Sequence, residues 1–188
     1  MPRLKVPADE TATDPQRSTR TAAGIITVRS DGTLKAGDET YRCALGASGV
    51  TTSKREGDTS TPMGCFAIRE VLYRPDRESA PETTMPVAPL EPSSAWCVDP
   101  DDDGYNQPVT LPYDVASESL WREDGIYDII VVLGYNDRPI IPGCGSAIFL
   151  HVADDDYGAT KGGISLSRED LLQLLEGCKA DTRICIVG

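Results

Sequence analysis

The segment from His151 to Gly163 has the residue types and the spacing of a site for nucleophilic catalysis. His151 is the only histidine of the 188-residue chain, and it follows the apolar run AIFL at 147–150. After the polar loop DDDYGA comes the segment TKGG at 160–163. If His151 ends one strand and position 163 begins the next, a nucleophile at 163 would have a general base within reach. The backbone N–H groups of Gly162 and Gly163 would then offer an oxyanion hole.

Position 163 itself carries glycine, so no side chain there can act as the nucleophile. Adjacent glycines at 162 and 163 let the backbone approach a ligand closely. A single histidine at the end of a strand is more often structural than catalytic. The carboxylates of Asp154–Asp156, if they lie beside it, would raise its pKa. The residues alone therefore leave a structural and a catalytic interpretation of His151 open.

The elements that must position this segment are strands. The run YDIIVVLGY is almost entirely apolar, which predicts a strand buried on both faces. AIFLHV should pair with it, and RICIV should close the sheet. The alternation in CFAIREVLY predicts another strand, and GIITVRS and TYRCALG around Asp31-Gly32 predict a β-hairpin. In order along the chain, the predicted strands are residues 24–30, 40–46, 65–73, 127–135, 147–152 and 183–187.

One helix is predicted after Ser167. Ser167 is a suitable N-cap, acidic residues occupy the first turn, and Gly177 ends the helix. Leucines at 171, 172, 174 and 175 form an apolar stripe that packs on the sheet. The proline-rich residues 75–126 predict long surface loops that carry short strands. The fold class is therefore mainly β, with one packed α-helix and long loops.

The composition excludes several classes of partner. The formal net charge of −12 argues against nucleic-acid binding, because phosphate contacts need clustered Lys and Arg. No apolar run approaches the roughly 20 residues of a membrane span, so we expect no membrane insertion, and we expect a monomer.

Residues 1–21 lack periodicity and predict a flexible extension, followed by a single domain at 22–188. The N-terminus does not resemble a secretion signal, so either a leader was removed or export uses none.

Six cysteines, at 43, 65, 97, 144, 178 and 185, form no CxxC pair, and there is no second histidine to complete a zinc site. We expect buried thiols with one or two disulfides, whose pairing the spacing does not determine.

The loop DPDDDGYNQPVT at 99–110 begins like an EF-hand, but threonine replaces its final glutamate. A solvated acidic loop is therefore expected, and neither a metal nor a cofactor is predicted.

Five stretches carry a resemblance to a known family. They are KREGDTSTPMG (54–64), YRPDR (73–77), WCVDPDDDGYNQPV (96–109), LWREDGIYDIIVVLGYN (120–136) and PGCGSAIFLHVADDDYGATKGGISLSREDLL (142–172). From residue 22 onward the sequence resembles a compact, proteobacterial form of the YkuD-type L,D-transpeptidases. The resemblance implies a YkuD-like β-sandwich with mixed sheets, and Cys/His acyl transfer on peptidoglycan stem peptides in the periplasm or cell envelope. It makes His151 the general base and 163 the position of the nucleophilic cysteine.

Gly163 departs from this family pattern, so the chain as it stands should be inactive in acyl transfer. Three hypotheses explain the glycine: an engineered replacement of cysteine, a naturally inactive protein that still binds peptidoglycan, or a displaced nucleophile such as Cys144 or Ser165. Hydrolysis of the L,D-carboxypeptidase type is an alternative to cross-linking. The bond that would be cross-linked, L-Ala–diaminopimelate or diaminopimelate–diaminopimelate, is not determined by the sequence.

The candidate substrate-binding residues are Thr160, Tyr135, Asn136, Ser165 and Arg74. Ser165 stands where the family commonly has an arginine two residues after its cysteine, a residue suited to a substrate carboxylate. Arg74 is a candidate to supply that charge instead. Tyr135 and Asn136 end the predicted buried strand, where ordinary turn chemistry is the other interpretation.

Overall fold

A computed structural model of the chain describes residues 24–188, so the predicted extension at 1–21 lies outside the described residues. The elements of this part follow in the order β1 Ile25–Arg29, β2 Thr33–Ala36, β3 Glu39–Arg42, β4 Val50–Thr51, β5 Thr61–Pro62, β6 Gly64–Tyr73, β7 Val87–Pro89, β8 Ser94–Cys97, β9 Pro108–Thr110, β10 Ser117–Ser119, β11 Ile129–Leu133, β12 Phe149–Val152, β13 Ile164–Leu166, α1 Arg168–Glu176 and β14 Arg183–Val187. The predicted mainly β class with one packed helix is confirmed.

The largest sheet is mixed, as the family resemblance implied. Its strands lie in the order β13-β12-β11-β6-β14-β1-β2-β3, and β7 pairs with the long β6. Strand β1 is parallel to β14, β6 to β7 and β12 to β13, whereas the other pairs of this sheet are antiparallel. A smaller antiparallel sheet, β10-β8-β9, lies within the region predicted to be loops with short strands.

The strand predictions hold except at the hairpin and for RICIV, which as β14 lies between β6 and β1 in the interior of the sheet and does not close it. The partner of β1 is Thr33–Ala36, which directly follows the Asp31-Gly32 turn, and not residues 40–46. The predicted second strand corresponds to β3, which pairs with β2 on the far side. The physical reason is local: Asp31 accepts a hydrogen bond from the Thr33 backbone N–H at 3.0 Å, so the chain reverses at once.

Strand β11 separates two hydrophobic clusters, as expected for a strand buried on both faces. Ile129, Val131 and Leu133 pack in the cluster that includes the leucines of α1. Ile130 and Val132 pack in a second cluster with Trp96, Leu120 and Phe149. Because side chains alternate along a strand, Leu150 and Val152 of β12 face the first cluster, whereas Phe149 and His151 face the second. This alternation aims His151 away from the helix.

The N-terminus of α1 has the predicted cap. The Ser167 hydroxyl accepts a hydrogen bond from the Asp170 backbone N–H at 3.1 Å, and Gly177 forms the C-cap. Leu171, Leu174 and Leu175 are buried. The cap therefore starts the helix immediately after β13, the strand that follows Gly163.

One disulfide joins Cys65 of β6 to Cys185 of β14, which are register partners in the antiparallel pair. The other four cysteines, at 43, 97, 144 and 178, are free thiols. The disulfide connects residues 120 positions apart in the chain. It therefore links the two strands at the centre of the large sheet.

The acidic loop at 99–110 is not simply a solvated segment. Tyr105 and Asn106 within it are buried. The Asn106 amide donates to the carbonyl oxygens of Tyr135 and Asn136, at 3.0 and 2.9 Å. The loop thus anchors the end of β11.

Within residues 24–188, no group of three His, Cys, Asp or Glu side chains is arranged to hold a metal ion, and no helix has the length and apolarity needed to cross a membrane.

Candidate functional site

The parallel pairing of β12 and β13 brings His151 and Gly163 together. In this register Leu150 is the partner of Ile164 and His151 is the partner of Ser165. An ideal Cβ built on Gly163 would lie 3.3 Å from Nε2 and 3.3 Å from Cδ2 of the His151 ring. A side chain at position 163 would therefore point at the imidazole.

The protein orients the imidazole of His151 with two contacts. Nδ1 lies 2.9 Å from the Val152 carbonyl oxygen, which can only accept, so Nδ1 carries the hydrogen and donates it. Nε2, on the side that faces Gly163, then keeps its lone pair. The Tyr127 ring packs edge-on against the imidazole at a centroid distance of 5.4 Å. The tautomer is the one that a general base at Nε2 requires.

Burial keeps this imidazole neutral. His151 is only 7% exposed. Burial, the largest effect, lowers the pKa of His151, and the charge of Arg122 lowers it further. Asp124 and Asp154 act in the opposite direction but do not reverse the shift. Asp154, one of the carboxylates that follow His151, thus raises the pKa as expected, but burial outweighs this effect and the net shift is downward.

Gly163 lies so close to β12 that its missing side chain matters for packing as well as chemistry. The same ideal Cβ would lie 2.7 Å from the Phe149 carbonyl oxygen, a distance that real Cβ atoms essentially never show. Since the conflicting atom belongs to the backbone, no side-chain rotation relieves it. Any larger residue at 163 must move the two strands apart locally.

Thr160 organises the TKGG turn that leads into β13. Its hydroxyl accepts from the Gly162 N–H at 3.1 Å and donates to the Gly163 carbonyl at 2.7 Å. Gly162 has φ +135°, a conformation that residues with a Cβ rarely adopt. The Gly162 N–H, proposed from the sequence as an oxyanion-hole donor, is thus hydrogen-bonded within the turn. Thr160 also lines the pocket described below.

The KREGDTSTPMG loop packs against the other side of this turn. The Thr61 hydroxyl accepts from the Gly46 N–H at 2.8 Å and donates to the Gly163 carbonyl at 3.3 Å. Lys54, whose side chain is 5% exposed, forms an ion pair with Asp58. The Lys54 ammonium lies 3.5 Å from the Cβ position of Gly162. This loop carries part of the family resemblance, but no sequence pattern predicted a role for Thr61 or Lys54.

An open pocket with a volume of about 170 Å³ lies beside His151. Its residues come from three places: the segment before β11, the loop between β12 and β13, and the two strands themselves. They include cationic, anionic and aromatic groups, namely Arg122, Lys161, Glu118, Asp154 and Tyr127, together with His151, Ser165 and Thr160. The pocket can therefore hold a ligand that carries charges of both signs.

One wall of this pocket is formed by residues that precede β11 in the chain, and the sequence did not predict their position. The Tyr127 hydroxyl donates to a Glu118 carboxylate oxygen at 2.9 Å. The Arg122 guanidinium lies over the Tyr127 ring, 5.3 Å from its centroid. These residues belong to or adjoin LWREDGIYDII, so the stretch that carried the resemblance was the available signal. Which of its side chains face His151 depends on the tertiary structure.

Tyr135 and Asn136 are placed away from this pocket. The Tyr135 hydroxyl donates to the Cys144 carbonyl, and the Asn136 amide donates to the carbonyls of Ile141 and Gly145 at 3.0 and 2.9 Å. Neither residue lines the pocket beside His151. In this structure both organise the loop that follows β11, which is the turn chemistry considered from the sequence.

Arg74 is also held elsewhere. Its side chain is 2% exposed, pairs with Asp76 at 2.8 Å and lies over the Trp121 ring at 3.7 Å. Arg74 does not line the pocket beside His151. The guanidinium that does line it belongs to Arg122, whose backbone carbonyl accepts a hydrogen bond from Arg74. Arg74 thus supports the segment that carries Arg122.

The two residues considered as displaced nucleophiles differ in position. Ser165 lines the pocket next to His151, but its hydroxyl makes no hydrogen bond to the imidazole among the described residues. Cys144 lies in the loop between β11 and β12, where its backbone N–H donates to the Ile141 carbonyl at 3.2 Å, and it does not line the pocket. Neither forms the hydrogen-bonded nucleophile–base pair that activation requires.

Comparison with known proteins gives a family and distant structural matches. The family model for YkuD, the L,D-transpeptidase catalytic domain, matches residues 20–186. L,D-transpeptidase 1 of Mycobacterium tuberculosis is 16% identical with a TM-score of 0.40, and the match covers 89% of this chain and 60% of that chain. L,D-transpeptidase 3 of the same organism, in complex with a faropenem-derived adduct, is 14% identical with a TM-score of 0.44 and the same coverages. An L,D-transpeptidase from Mycobacterium smegmatis is 13% identical with a TM-score of 0.39, covering 87% and 58%.

The chain thus spans about 60% of the length of these solved structures. The comparison with curated protein sequences gives no significant match.

Proposed function

Since the chain belongs to the YkuD family of L,D-transpeptidase catalytic domains, we propose that it binds peptidoglycan stem peptides in a transpeptidase cleft whose acyl transfer is disabled at Gly163. One observation carries the proposal. The Cβ position of Gly163 lies 3.3 Å from Nε2 of His151, so a thiol at 163 would be next to a neutral base. In this proposal His151 is the base, and the nucleophile that it would activate is absent.

The chemistry that a cysteine at 163 would perform follows from this geometry. Nε2 of His151 would take the thiol proton, and the thiolate would attack a carbonyl carbon of the stem peptide. The imidazolium would return the proton to the departing amine, leaving a thioester. A second stem's amine would then attack the thioester and release the thiol, which forms the cross-link. Glycine removes the first bond-forming step. Losing a nucleophile from such a unit typically lowers kcat by a factor of about 10⁶.

Peptide binding does not depend on the thiol. Stem peptides carry both carboxylate and amino groups, and the pocket offers Arg122 and Lys161 for the former and Glu118 and Asp154 for the latter. The Cys65–Cys185 disulfide is of the kind that persists in oxidising compartments, which supports a location in the periplasm or cell envelope. We expect the protein to act there as a monomer.

The proposal is the same whether Gly163 is an engineered replacement of cysteine or native to this protein, because the side chain needed for acyl transfer is absent in either case. Hydrolysis of an acyl-enzyme is disfavoured for the same reason as cross-linking, because both need the thiol.

The test compares three proteins: the wild type, Gly163→Cys and Gly163→Ala. Isothermal titration with disaccharide tetrapeptide measures binding, and mass spectrometry detects loss of D-Ala or formation of cross-linked dimers. We expect binding by the wild type without turnover, and turnover only in Gly163→Cys. The alanine variant adds the same Cβ without a thiol, so it separates strand displacement from chemistry. A wild type that fails to bind the muropeptide would refute the proposal.

A further inference from the structure

We propose that Lys161, and not Arg122, is the residue that binds a carboxylate of the ligand in the pocket beside His151. Lys161 would thereby recognise the anionic part of a stem peptide, which presupposes the proposed function. The family commonly has an arginine for such a group two residues after its cysteine, but this chain has Ser165 there. Lys161 and Arg122 supply the positive charges that line the pocket. Their contacts in the structure distinguish the two.

The guanidinium of Arg122 already has a carboxylate partner. Its Nε donates to the two carboxylate oxygens of Asp124 at 3.1 and 3.2 Å, and its Nη2 donates to the same carboxylate. The hydrogen bond with Asp124 raises the pKa of Arg122. The guanidinium also lies over the Tyr127 ring, 5.3 Å from its centroid. A ligand carboxylate would therefore have to compete with Asp124 for this group.

The backbone of Arg122 is fixed as well as its side chain. Its carbonyl oxygen accepts a hydrogen bond from the guanidinium of Arg74 and another, at 3.4 Å, from Arg77. The Arg74 side chain is 2% exposed and lies over the neighbouring Trp121 ring at 3.7 Å. Arg122 thus belongs to a wall that is set before a ligand enters, and its charge is compensated within that wall.

Lys161 combines a fixed backbone with a free side chain. The residue is exposed, and its ammonium group forms no hydrogen bond or ion pair with any other residue of the described part of the chain. On one side of it, the backbone of Thr160 bonds to Leu45 and Ala47 at 2.9 and 3.0 Å. On the other side, the Gly162 N–H donates to the Thr160 hydroxyl at 3.1 Å. The ammonium can therefore pair with a ligand without first giving up a partner.

The carboxylates of the pocket have other partners and leave Lys161 available. A Glu118 oxygen accepts from the Tyr127 hydroxyl at 2.9 Å, and an Asp154 oxygen accepts from the Gly158 N–H at 2.6 Å. Neither carboxylate bonds to a cationic side chain within residues 24–188. A ligand with charges of both signs then binds with its amino group toward these two carboxylates and its carboxylate toward Lys161.

The experiment titrates the protein with disaccharide tetrapeptide and with three forms of it in which one carboxyl is a primary amide: that of D-Glu, of diaminopimelate or of D-Ala. We expect one of these amides to bind the wild type about 2- to 5-fold more weakly, the range of an exposed ion pair. Lys161→Gln should bind the unmodified ligand more weakly by the same factor, and that amide should cost it nothing further. The amide that behaves in this way identifies the carboxylate.

Matched variants separate the charge of Lys161 from other effects. Lys161→Arg keeps the charge and should keep the discrimination against the amide. Lys179→Gln removes one exposed positive charge outside the pocket and should behave as the wild type. Arg122→Gln should still discriminate, because its guanidinium serves Asp124. Added salt should weaken binding to the wild type more than binding to Lys161→Gln, since an exposed ion pair is screened.

Two results would overturn the assignment of Lys161. One is that Lys161→Gln binds all four ligands as tightly as the wild type does. The other is that discrimination is lost in folded Arg122→Gln and kept in Lys161→Gln. Both results leave the proposed function intact, because the wild type still binds the muropeptide. A wild type that binds none of the four ligands refutes the proposed function, and the role of Lys161 with it.

Discussion

The Phe149 carbonyl oxygen stands 2.7 Å from the point where a Cβ on Gly163 would lie. Strands β12 and β13 are therefore closer at this point than any residue other than glycine allows. The same point is 3.3 Å from Nε2 of His151, so the packing constraint and the missing chemistry occur at one position.

Gly163→Ala should destabilise the protein, because its Cβ conflicts with backbone. Overpacking of this kind typically costs about 1–3 kcal/mol. A Gly→Ala change in compatible backbone instead stabilises by about 0.4–1 kcal/mol. Gly177→Ala is the matched control, since its φ is −85° and its Cβ would meet the Leu174 carbonyl at an ordinary 3.5 Å. Urea unfolding should give opposite signs for the two variants, and a stabilised Gly163→Ala would contradict the close approach.

Thr160→Val should loosen the TKGG turn. The substitution keeps the shape of the side chain but removes the hydroxyl that accepts from Gly162 and donates to Gly163. We expect a loss of about 1–3 kcal/mol, because the Gly162 N–H loses its acceptor and the Gly163 carbonyl keeps only the longer hydrogen bond from Thr61. Thr160→Ser keeps the hydroxyl and should be close to wild type. Chemical denaturation compares them, and equal losses for valine and serine would show that the hydroxyl is not what stabilises the turn.

His151 should make stability fall as the solution is acidified. Its pKa is lowered by burial from the ordinary value of 6.5, so the unfolded chain binds the proton more readily than the folded protein. Its contribution is therefore fully present above about pH 6.5 and is lost as pH falls toward the folded-state pKa. Unfolding free energy measured from pH 8 to pH 5 should show a steeper slope in wild type than in His151→Gln. Identical slopes would mean that the ring is not held neutral.

Reduction of Cys65–Cys185 should destabilise the fold strongly. The bond closes a loop of 120 residues, and loss of a native disulfide typically costs about 2–5 kcal/mol. Urea midpoints with and without dithiothreitol measure the effect. The double variant Cys65→Ser, Cys185→Ser should match the reduced wild type and respond no further to reductant. A response to reductant in that variant would indicate a disulfide elsewhere.

Local features of the sequence were enough to predict most elements. Runs of apolar residues located β11, β12 and β14, and the alternation of apolar and polar residues located β6. The N-cap serine and the terminal glycine located α1, because capping depends on near neighbours in the chain. The hairpin failed in detail, since a two-residue turn selected the immediately following strand, Thr33–Ala36, over a more apolar one further along. Register and strand order needed the tertiary structure.

The chemistry divides in the same way. The order of His151 and Gly163 on two predicted consecutive strands led to the expectation that they lie close together, and the parallel register of β12 and β13 brings them together. The sequence by itself thus determined the mainly β class and the position of His151 and Gly163 on either side of one short loop. Their roles as base and as nucleophile position follow from the family resemblance and belong to the proposed function. Only the tertiary structure decided that Arg122, and not Arg74, reaches the pocket, that Thr61 supports Gly163 and that burial lowers the pKa of His151. Those outcomes depend on contacts and desolvation between segments far apart in the chain, which no local pattern encodes.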